Sequence, residues 1–400
     1  MQKSKGVIGI DLGTESIKIV ALECVRGESL PRVVGVGASI SKGMRKGVIY
    51  EENEVAESIE QAIHSLETAT GLAHGRAYIG MGGLGLGFQK SRGLVAISRA
   101  DGKVSKEDMN RAVQASETNL SKIQNREVLY HVPISFRIDG ESPIHNPFEL
   151  SGMKLESETM FITAFSQQVK SVLKVADEAR IDLEDIVAGP LAMAHAVLSK
   201  REKEVGVMLI NLGAATTSVI LFEEGLSYSL EVLPVGSSHI TNDIAVGFQI
   251  SLEESEKLKI NYGAVAHVAP ISKKDDLIHG AYSKKKLAEI IEARLDDIFE
   301  LVEKHLKKVD RVGLLPAGAV MIGGGSNLQG ISEFAKNYLK LPARIASSEN
   351  VGGLKDKVKD SAWSTAVGIA LLALDEKESS SPLLRGQSGS FFKWLRAFLP

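Results

Sequence analysis

Four hundred residues with 44% hydrophobic content can bury large cores and suggest two or three domains rather than one. A formal net charge of -3 carries no basic bias, which sets nucleic acid aside as a partner, and the single Cys24 rules out an intrachain disulfide. The N-terminal apolar stretch is broken by Asp11 before it reaches signal-peptide length, and the longest apolar run, residues 367–374, is far below the roughly 18 residues that span a bilayer, so a cytosolic chain is expected unless something lays it on a membrane.

Residues 8–20 alternate apolar and small or polar residues on both sides of a Gly-containing turn, the pattern of a β-hairpin. Gly80, Gly82 and Gly85 match G-x-G-x-x-G, but the chain runs on toward a strand around residues 93–97. A dinucleotide site needs a helix to open at the third glycine, so none is expected here. Helices are predicted over 106–121 and 167–178, then a strand at 185–188 leading through Gly189-Pro190 into a helix over 191–199. Residues 209–221 repeat the first hairpin about 200 positions later.

From 283 to 308, Leu287, Ile290, Ile291, Leu295, Ile298, Leu301, Val302 and Leu306 recur at a helical period. Residues 319–328 read as a strand running into Gly323, Gly324 and Gly325, followed by a helix through Phe334 and Tyr338, and a last core helix begins near Trp363. The mixed order makes the class α/β. Two like hairpins half a chain apart suggest a duplicated domain, with one turn from each half facing a shared cleft.

Glycine lets backbone N–H donors approach a phosphate chain, so Asp11-Leu12-Gly13-Thr14 and Asn211-Leu212-Gly213-Ala214 are each suited to grip part of one. Asp11 at a strand end suits magnesium held through water, and the three glycines from 323 suit a flat base on bare backbone. Each turn alone is as readily structural; the three in this order point to a nucleotide.

Residues 375–389 turn to Ser, Glu, Lys, Gly and Pro, the composition of a flexible linker. On a helical wheel, Phe391, Phe392, Trp394, Leu395, Phe398 and Leu399 fall within about 160°, with Lys393 and Arg396 opposite. Residues 391–399 span only about 14 Å as a helix, so the segment 390–400 is expected to lie on anionic lipid rather than cross a bilayer. The plain alternative is a terminal helix docked on the protein's own core.

The paired hairpins and the triple-glycine turn resemble the phosphate and adenosine motifs of the actin, heat-shock chaperone and sugar kinase superfamily. Lys46-Gly47-Val48-Ile49, His131-Val132-Pro133-Ile134-Ser135-Phe136, the stretch from Pro147 through Gly152 to Leu155-Glu156, Glu253-Glu254-Ser255-Glu256-Lys257-Leu258 and Ile290-Ile291-Glu292-Ala293-Arg294 narrow it. In that order they resemble the FtsA family of bacterial cell-division proteins, from about residue 6 to the end.

The resemblance implies an actin-like, ribonuclease H-like two-lobe core with an FtsA-type subdomain 1C. Subdomain 1A would be residues 1–83 and 162–198, 1C residues 84–161, 2A residues 199–240 and 310–374, and 2B residues 241–309. It further implies ATP and Mg2+ as cofactors, head-to-tail self-assembly, and a link between FtsZ and the cytoplasmic face of the cell membrane at the septum, with later divisome proteins docking afterwards. Asp11, Gly13, Thr14, Glu15, Asn211, Gly213, Ala214, Thr216, Gly236, Gly323, Gly324, Gly325 and Ser326 would contact nucleotide, with Glu254 and Lys257 near ribose and base. Arg294 would border the site for the FtsZ C-terminal tail.

Two departures bear on chemistry. The second phosphate motif carries Asn211 and Ala214 where the superfamily usually has Asp and Gly, and an amide cannot act as a base. The crossover has Gly189 before Pro190 where hydrolytic relatives often place a carboxylate; His195 falls where actin orients its water, and reads either as a positioning group or as a satisfied core residue. Nucleotide binding with slow or absent hydrolysis is expected. A PilM-like pilus-assembly protein and a small-molecule kinase are the alternatives; the tail has no role in the latter.

Overall fold

The structure, a computed structural model, describes residues 6–70, 76–120, 124–265 and 276–378. Among the described residues two compact units emerge, one made of residues 6–84 and 171–378, the other of residues 85–170.

The larger unit contains two sheets built on one plan. Strands β1 (Val7–Leu12), β2 (Ser16–Glu23) and β3 (Arg32–Ile40) form an antiparallel meander, helix α1 (Glu52–Thr70) returns the chain, and β4 (Arg76–Met81) runs parallel to β1. The smaller unit is then inserted as β5 (Leu86–Ala96), α2 (Lys106–Thr118), β6 (Arg126–Ile138) and β7 (Lys154–Phe165). Helix α3 (Ser166–Glu178) leads to β8 (Leu183–Ala188), parallel to β4, and to α4 (Gly189–Val197) and α5 (Lys200–Val205).

The second sheet repeats the meander in β9 (Val207–Leu212), β10 (Thr217–Glu223) and β11 (Leu226–Leu233). Helices α6 (Ser237–Phe248), α7 (Leu252–Tyr262) and α8 (Lys284–Lys308) follow, then β12 (Ala319–Ile322), α9 (Ile331–Leu339), β13 (Ala343–Ile345) and α10 (Ser364–Glu378). The orders β8-β4-β1-β2-β3 and β11-β10-β9-β12-β13 are the same path walked twice. Ser283 caps α8, its hydroxyl accepting from Lys286 N–H at 3.1 Å, and the periodic Leu287, Ile291, Leu295, Ile298, Val302 and Leu306 are buried in the second lobe's core.

In the inserted unit the sheet order is β5-β7-β6, all antiparallel, with α2 laid across it. A β-carbon on Gly93 would collide with the backbone of Ala112 and Ser116, so the bare strand admits the helix closely. Burial pushes the carboxyl of Asp108 up, but hydrogen bonds from Ser105, Arg111 and Ser98 outweigh it and hold the group well below the usual carboxylate range. That carboxylate completes the capping box of α2 with Ser105.

Four sequence-derived boundaries shift. The main one concerns α10, expected with the second lobe inside residues 310–374. It packs instead on the first sheet, where a β-carbon on Gly9 of β1 would meet Ala366 O at 2.5 Å and Ala370 N at 2.6 Å. Gly352–Gly353 likewise pairs beside β3, so the chain is back with the first sheet by residue 352. Helix α10 also runs to Glu378, into the stretch read as linker from 375. The cut at 161/162 falls inside β7 and that at 240/241 inside α6, where pairing and helix continue unbroken.

Candidate functional site

The two hairpins share one register. Asp11 faces Lys18 and Leu12 faces Ile17 in the first, Asn211 faces Ser218 and Leu212 faces Thr217 in the second, each number raised by 200. Both turns close tightly. A β-carbon on Gly13 would lie 2.6 Å from Ser16 O, and one on Gly213 would lie 2.9 Å from Thr216 O, the carbonyl that accepts Gly213 N–H at 3.0 Å. The first turn is steadied from outside, since Thr14 Oγ1 accepts from Gly47 N–H at 2.9 Å.

The second turn is fastened to the start of α6. Ser237 N–H donates to Gly213 O and Ser238 N–H to Ala214 O, both at 2.8 Å, and the Ser238 hydroxyl adds a bond to Ala214 O at 2.7 Å. Gly236 is what allows the approach, because a β-carbon there would sit 2.5 Å from Ala214 O.

The triple-glycine turn abuts the second hairpin. Gly323 has φ +89°, and a β-carbon on it would strike the Asn211 carboxamide; one on Gly325 would lie 2.5 Å from Leu212 Cγ. Gly324 has nothing within 4 Å of where its β-carbon would be, leaving bare backbone open to a ligand face.

These three turns open into one cleft of about 450 Å³, within the range of small-molecule sites. Its walls include Asp11, Gly13, Thr14 and Glu15 from the first lobe and Asn211, Gly213, Ala214, Thr216, Gly323, Gly324 and Gly325 from the second. Burial raises the Asp11 carboxyl from 3.8 to about 6, against the opposing pull of Lys18. A magnesium ion would suit this desolvated carboxylate at a strand end. A single carboxylate suits an ion that keeps most of its waters, and among the described residues no group of three or more His, Cys, Asp or Glu is placed to hold a metal.

Several expected residues lie off the cleft wall. Glu254 and Lys257 are exposed on another side of α7, where Glu254 accepts from Tyr282 Oη at 2.5 Å and Lys257 pairs with Glu253 at 2.7 Å. The residues of α7 that reach the cleft are Glu256, Lys259 and Ile260. Lys259 is buried, with Nζ 2.7 Å from Glu256 Oε2, and it donates to Thr241 Oγ1 at 2.8 Å and Ser237 O at 3.2 Å. Their i, i+3 spacing, with Lys259 set between Leu258 and Ile260, was the available signal.

Ser326 is buried behind the glycines, donating to Gly323 O at 2.7 Å and meeting Ser361 Oγ at 3.0 Å, and Gly236 serves the loop packing described above. His195 points away, its Nε2 2.9 Å from Asp375 Oδ2 on α10; burial lowers its pKa, with Asp375 opposing. A water-positioning role for His195 therefore has no geometric basis.

Reasoning from sequence missed Gly47, Gly82 and Gly83, Ser237 and Ser238, Asn327 and Asp360, all on the cleft wall. The Gly80-Gly82-Gly85 match ends in a short 3-10 turn, Gly83–Gly85, that runs directly into β5, so no α-helix opens there.

Arg294 of α8 holds Asp243 of α6 in a two-pronged pair, Nε to Oδ2 at 2.6 Å and Nη2 to Oδ1 at 3.0 Å, and also reaches Asp297. The tail residues Phe391, Phe392, Lys393, Trp394, Leu395, Arg396, Phe398 and Leu399 lie outside the described residues.

Residues 208–368 match the family model for cell division protein FtsA, and residues 83–163 match the SHS2 domain inserted in FtsA. Over 381 residues the chain is 30% identical to the cell division protein FtsA of Borreliella burgdorferi, covering 93% of this chain and 92% of that protein. It is also 30% identical over 382 residues to FtsA of Bacillus subtilis, covering 93% and 84%. Among solved structures it resembles the PilM-PilN type IV pilus biogenesis complex at TM-score 0.68 and 17% identity, over 92% of this chain and 98% of that one. MreB5 of Spiroplasma citri bound to ADP gives 0.55 and 13%, over 94% and 98%. At such identities the likeness speaks to fold alone, and the fold is actin-like.

Proposed function

Because this chain belongs to the FtsA family of cell-division proteins, we propose that it binds ATP and magnesium between its lobes, polymerises head to tail on the cytoplasmic face of the membrane, and anchors FtsZ filaments at the division septum. There it would serve as a platform for later division proteins. The observation that carries the nucleotide reading is the pair of register-matched turns opening, with the triple-glycine wall, into one cleft.

In this reading the Gly13 and Gly213 turns cradle the phosphates, Gly324 supports the base, and Glu256 with Lys259 stands on the nucleoside side. Asp11 orients waters of the magnesium ion, which when bound neutralises phosphate charge. Hydrolysis is slow or absent, because Asn211 offers an amide in place of a base and His195 is turned onto Asp375. Phosphate release faster than about one per second, the low end of ordinary enzyme rates, would contradict this.

Arg294, locked to Asp243, borders the surface proposed for the FtsZ tail. The sequence of residues 391–399, aromatic and aliphatic positions interleaved with Lys393 and Arg396, suits anionic lipid, and a filament presenting many copies would hold by avidity although one copy binds weakly. The pilus-assembly alternative draws only on shared fold. The test is co-sedimentation with FtsZ filaments and anionic liposomes in the presence of ATP. Recruitment of FtsZ to lipid that is lost on deleting residues 391–400 is expected; undiminished recruitment by the truncated chain would remove the tether, and no FtsZ in the pellet would remove the adaptor role.

A further inference from the structure

Asn327 and Asp360 both line the cleft, beside the triple-glycine turn. Asn327 ends the turn that carries Gly324, and its Nδ2 donates to Asp360 Oδ1 at 3.1 Å. The same Oδ1 accepts from Ala362 N–H at 2.9 Å, capping the short turn ahead of α10, while Asn327 Oδ1 accepts from the Ser361 hydroxyl at 3.2 Å. The carboxylate is thus held from two sides through one oxygen, and the other oxygen, Oδ2, takes part in none of these bonds.

From this arrangement we infer that Asp360, oriented by Asn327, selects the base of the bound nucleotide, favouring adenine over guanine. The proposal rests on the nucleotide reading of the cleft. In this proposal the edge of a base lying against the open backbone of Gly324 meets Asp360, which lines the same cleft as Gly324 and Asn327. At that edge adenine offers an amino group, a donor, and guanine at the same position offers a carbonyl, an acceptor that a carboxylate repels. A carboxylate with both oxygens available would instead suit the paired N1–H and N2–H donors of guanine. Here one oxygen is already engaged, and one of the two Asn327 Nδ2 hydrogens is what engages it, so the carboxylate itself keeps a single acceptor oxygen for a single donor. Because Asp360 and Asn327 are exposed, the discrimination is modest beside that of a buried site.

The experiment is competition of ATP, 2′-deoxy-ATP and GTP against a fluorescent ATP analogue on the full chain. The unaltered protein is expected to prefer ATP over GTP by about tenfold, the scale of one hydrogen bond to a charged group. Asp360→Asn, an isosteric amide that can donate to a carbonyl, is expected to shrink that preference at least threefold, with 2′-deoxy-ATP following ATP. Asp360→Glu keeps the charge but displaces the oxygen, and should shrink it too, which guards against a folding defect in one variant. An unchanged ratio in both variants, a ratio that rises, or a loss seen with ATP but not with 2′-deoxy-ATP would overturn the assignment, the last because the carboxylate would then be reading the ribose. Failure of the unaltered chain to bind any of the three would instead sink the nucleotide reading itself.

Discussion

Asp11 and Asn211 stand at the same step of two hairpins in matching register, but Asp11 faces Lys18 across its ladder while Asn211 faces Ser218. The backbone is duplicated and the charge is not. One lobe brings a carboxylate to the cleft and the other an amide, so the two walls of the cleft are chemically unequal.

That carboxylate is costly without a ligand. Its pKa of about 6 lies above the ordinary 3.8, so between those values the folded chain binds more protons than the unfolded one, and this group's contribution to stability falls as pH rises from about 4 to 6. In nucleotide-free, metal-free protein, Asp11→Asn should raise the unfolding free energy at pH 7 by on the order of 2 kcal/mol or less, read as a higher melting temperature, and leave both nearly unchanged near pH 4. The same variant should lose affinity for magnesium-ATP. Equal melting shifts at both pH values would show that desolvation is not the cause.

The glycines of the third turn separate folding from binding. Gly323→Ala must place a β-carbon against Asn211 at φ +89°, and should cost roughly 1–3 kcal/mol in denaturant unfolding. Gly324→Ala meets open space, so it should leave the unfolding midpoint nearly unmoved while weakening ATP binding about tenfold in equilibrium titration. A stable Gly323→Ala protein would argue against the contact.

On α7 the two candidate pairs can be told apart by titration. Lys257→Ala, on the exposed face, should keep ATP affinity within about twofold. Glu256→Gln should weaken it several-fold, and Lys259→Met should also destabilise the fold by about 1–3 kcal/mol by leaving Thr241 and Ser237 O without their donor. The reverse ranking in a nucleotide titration would return the role to Glu254 and Lys257.

Helix α10 tests the first lobe's closure. A β-carbon on Gly368 would collide with Ala192 of α4, and one on Gly9 with α10 itself. Gly9→Ala and Gly368→Ala should each lower the melting temperature by several degrees, the cost of overpacking, measured by circular dichroism. Gly27→Ala has no neighbour within 4 Å but has φ +94°, and should cost no more than about 1–2 kcal/mol.

Much of the fold was legible because its signals are local. Alternation wrote both hairpins, the 3.6 period wrote α8, and the glycines marked all three turns. What was not legible depends on neighbours far off in sequence. Helix α7 carries Glu253, Glu254, Glu256, Lys257 and Lys259, charges on several faces, and only Thr241 and Ser237 decide which of them turns inward. Gly236 reads identically as a ligand contact or a close loop approach until Ala214 is seen against it. Helix α10 buries Ala366, Val367, Ile369, Ala370, Leu371, Ala373 and Leu374, so it has no clear polar face to say which lobe it covers.

The placement of α10 sets an order on biosynthesis. Strand β1 leaves the ribosome about 350 residues before the helix that covers it through Gly9. The second lobe, contiguous from β9 to β13, can finish its core while the first sheet still waits with an apolar face uncovered. Nascent chains stalled before residue 364 would therefore carry one finished half and one adhesive half, a natural client for a chaperone.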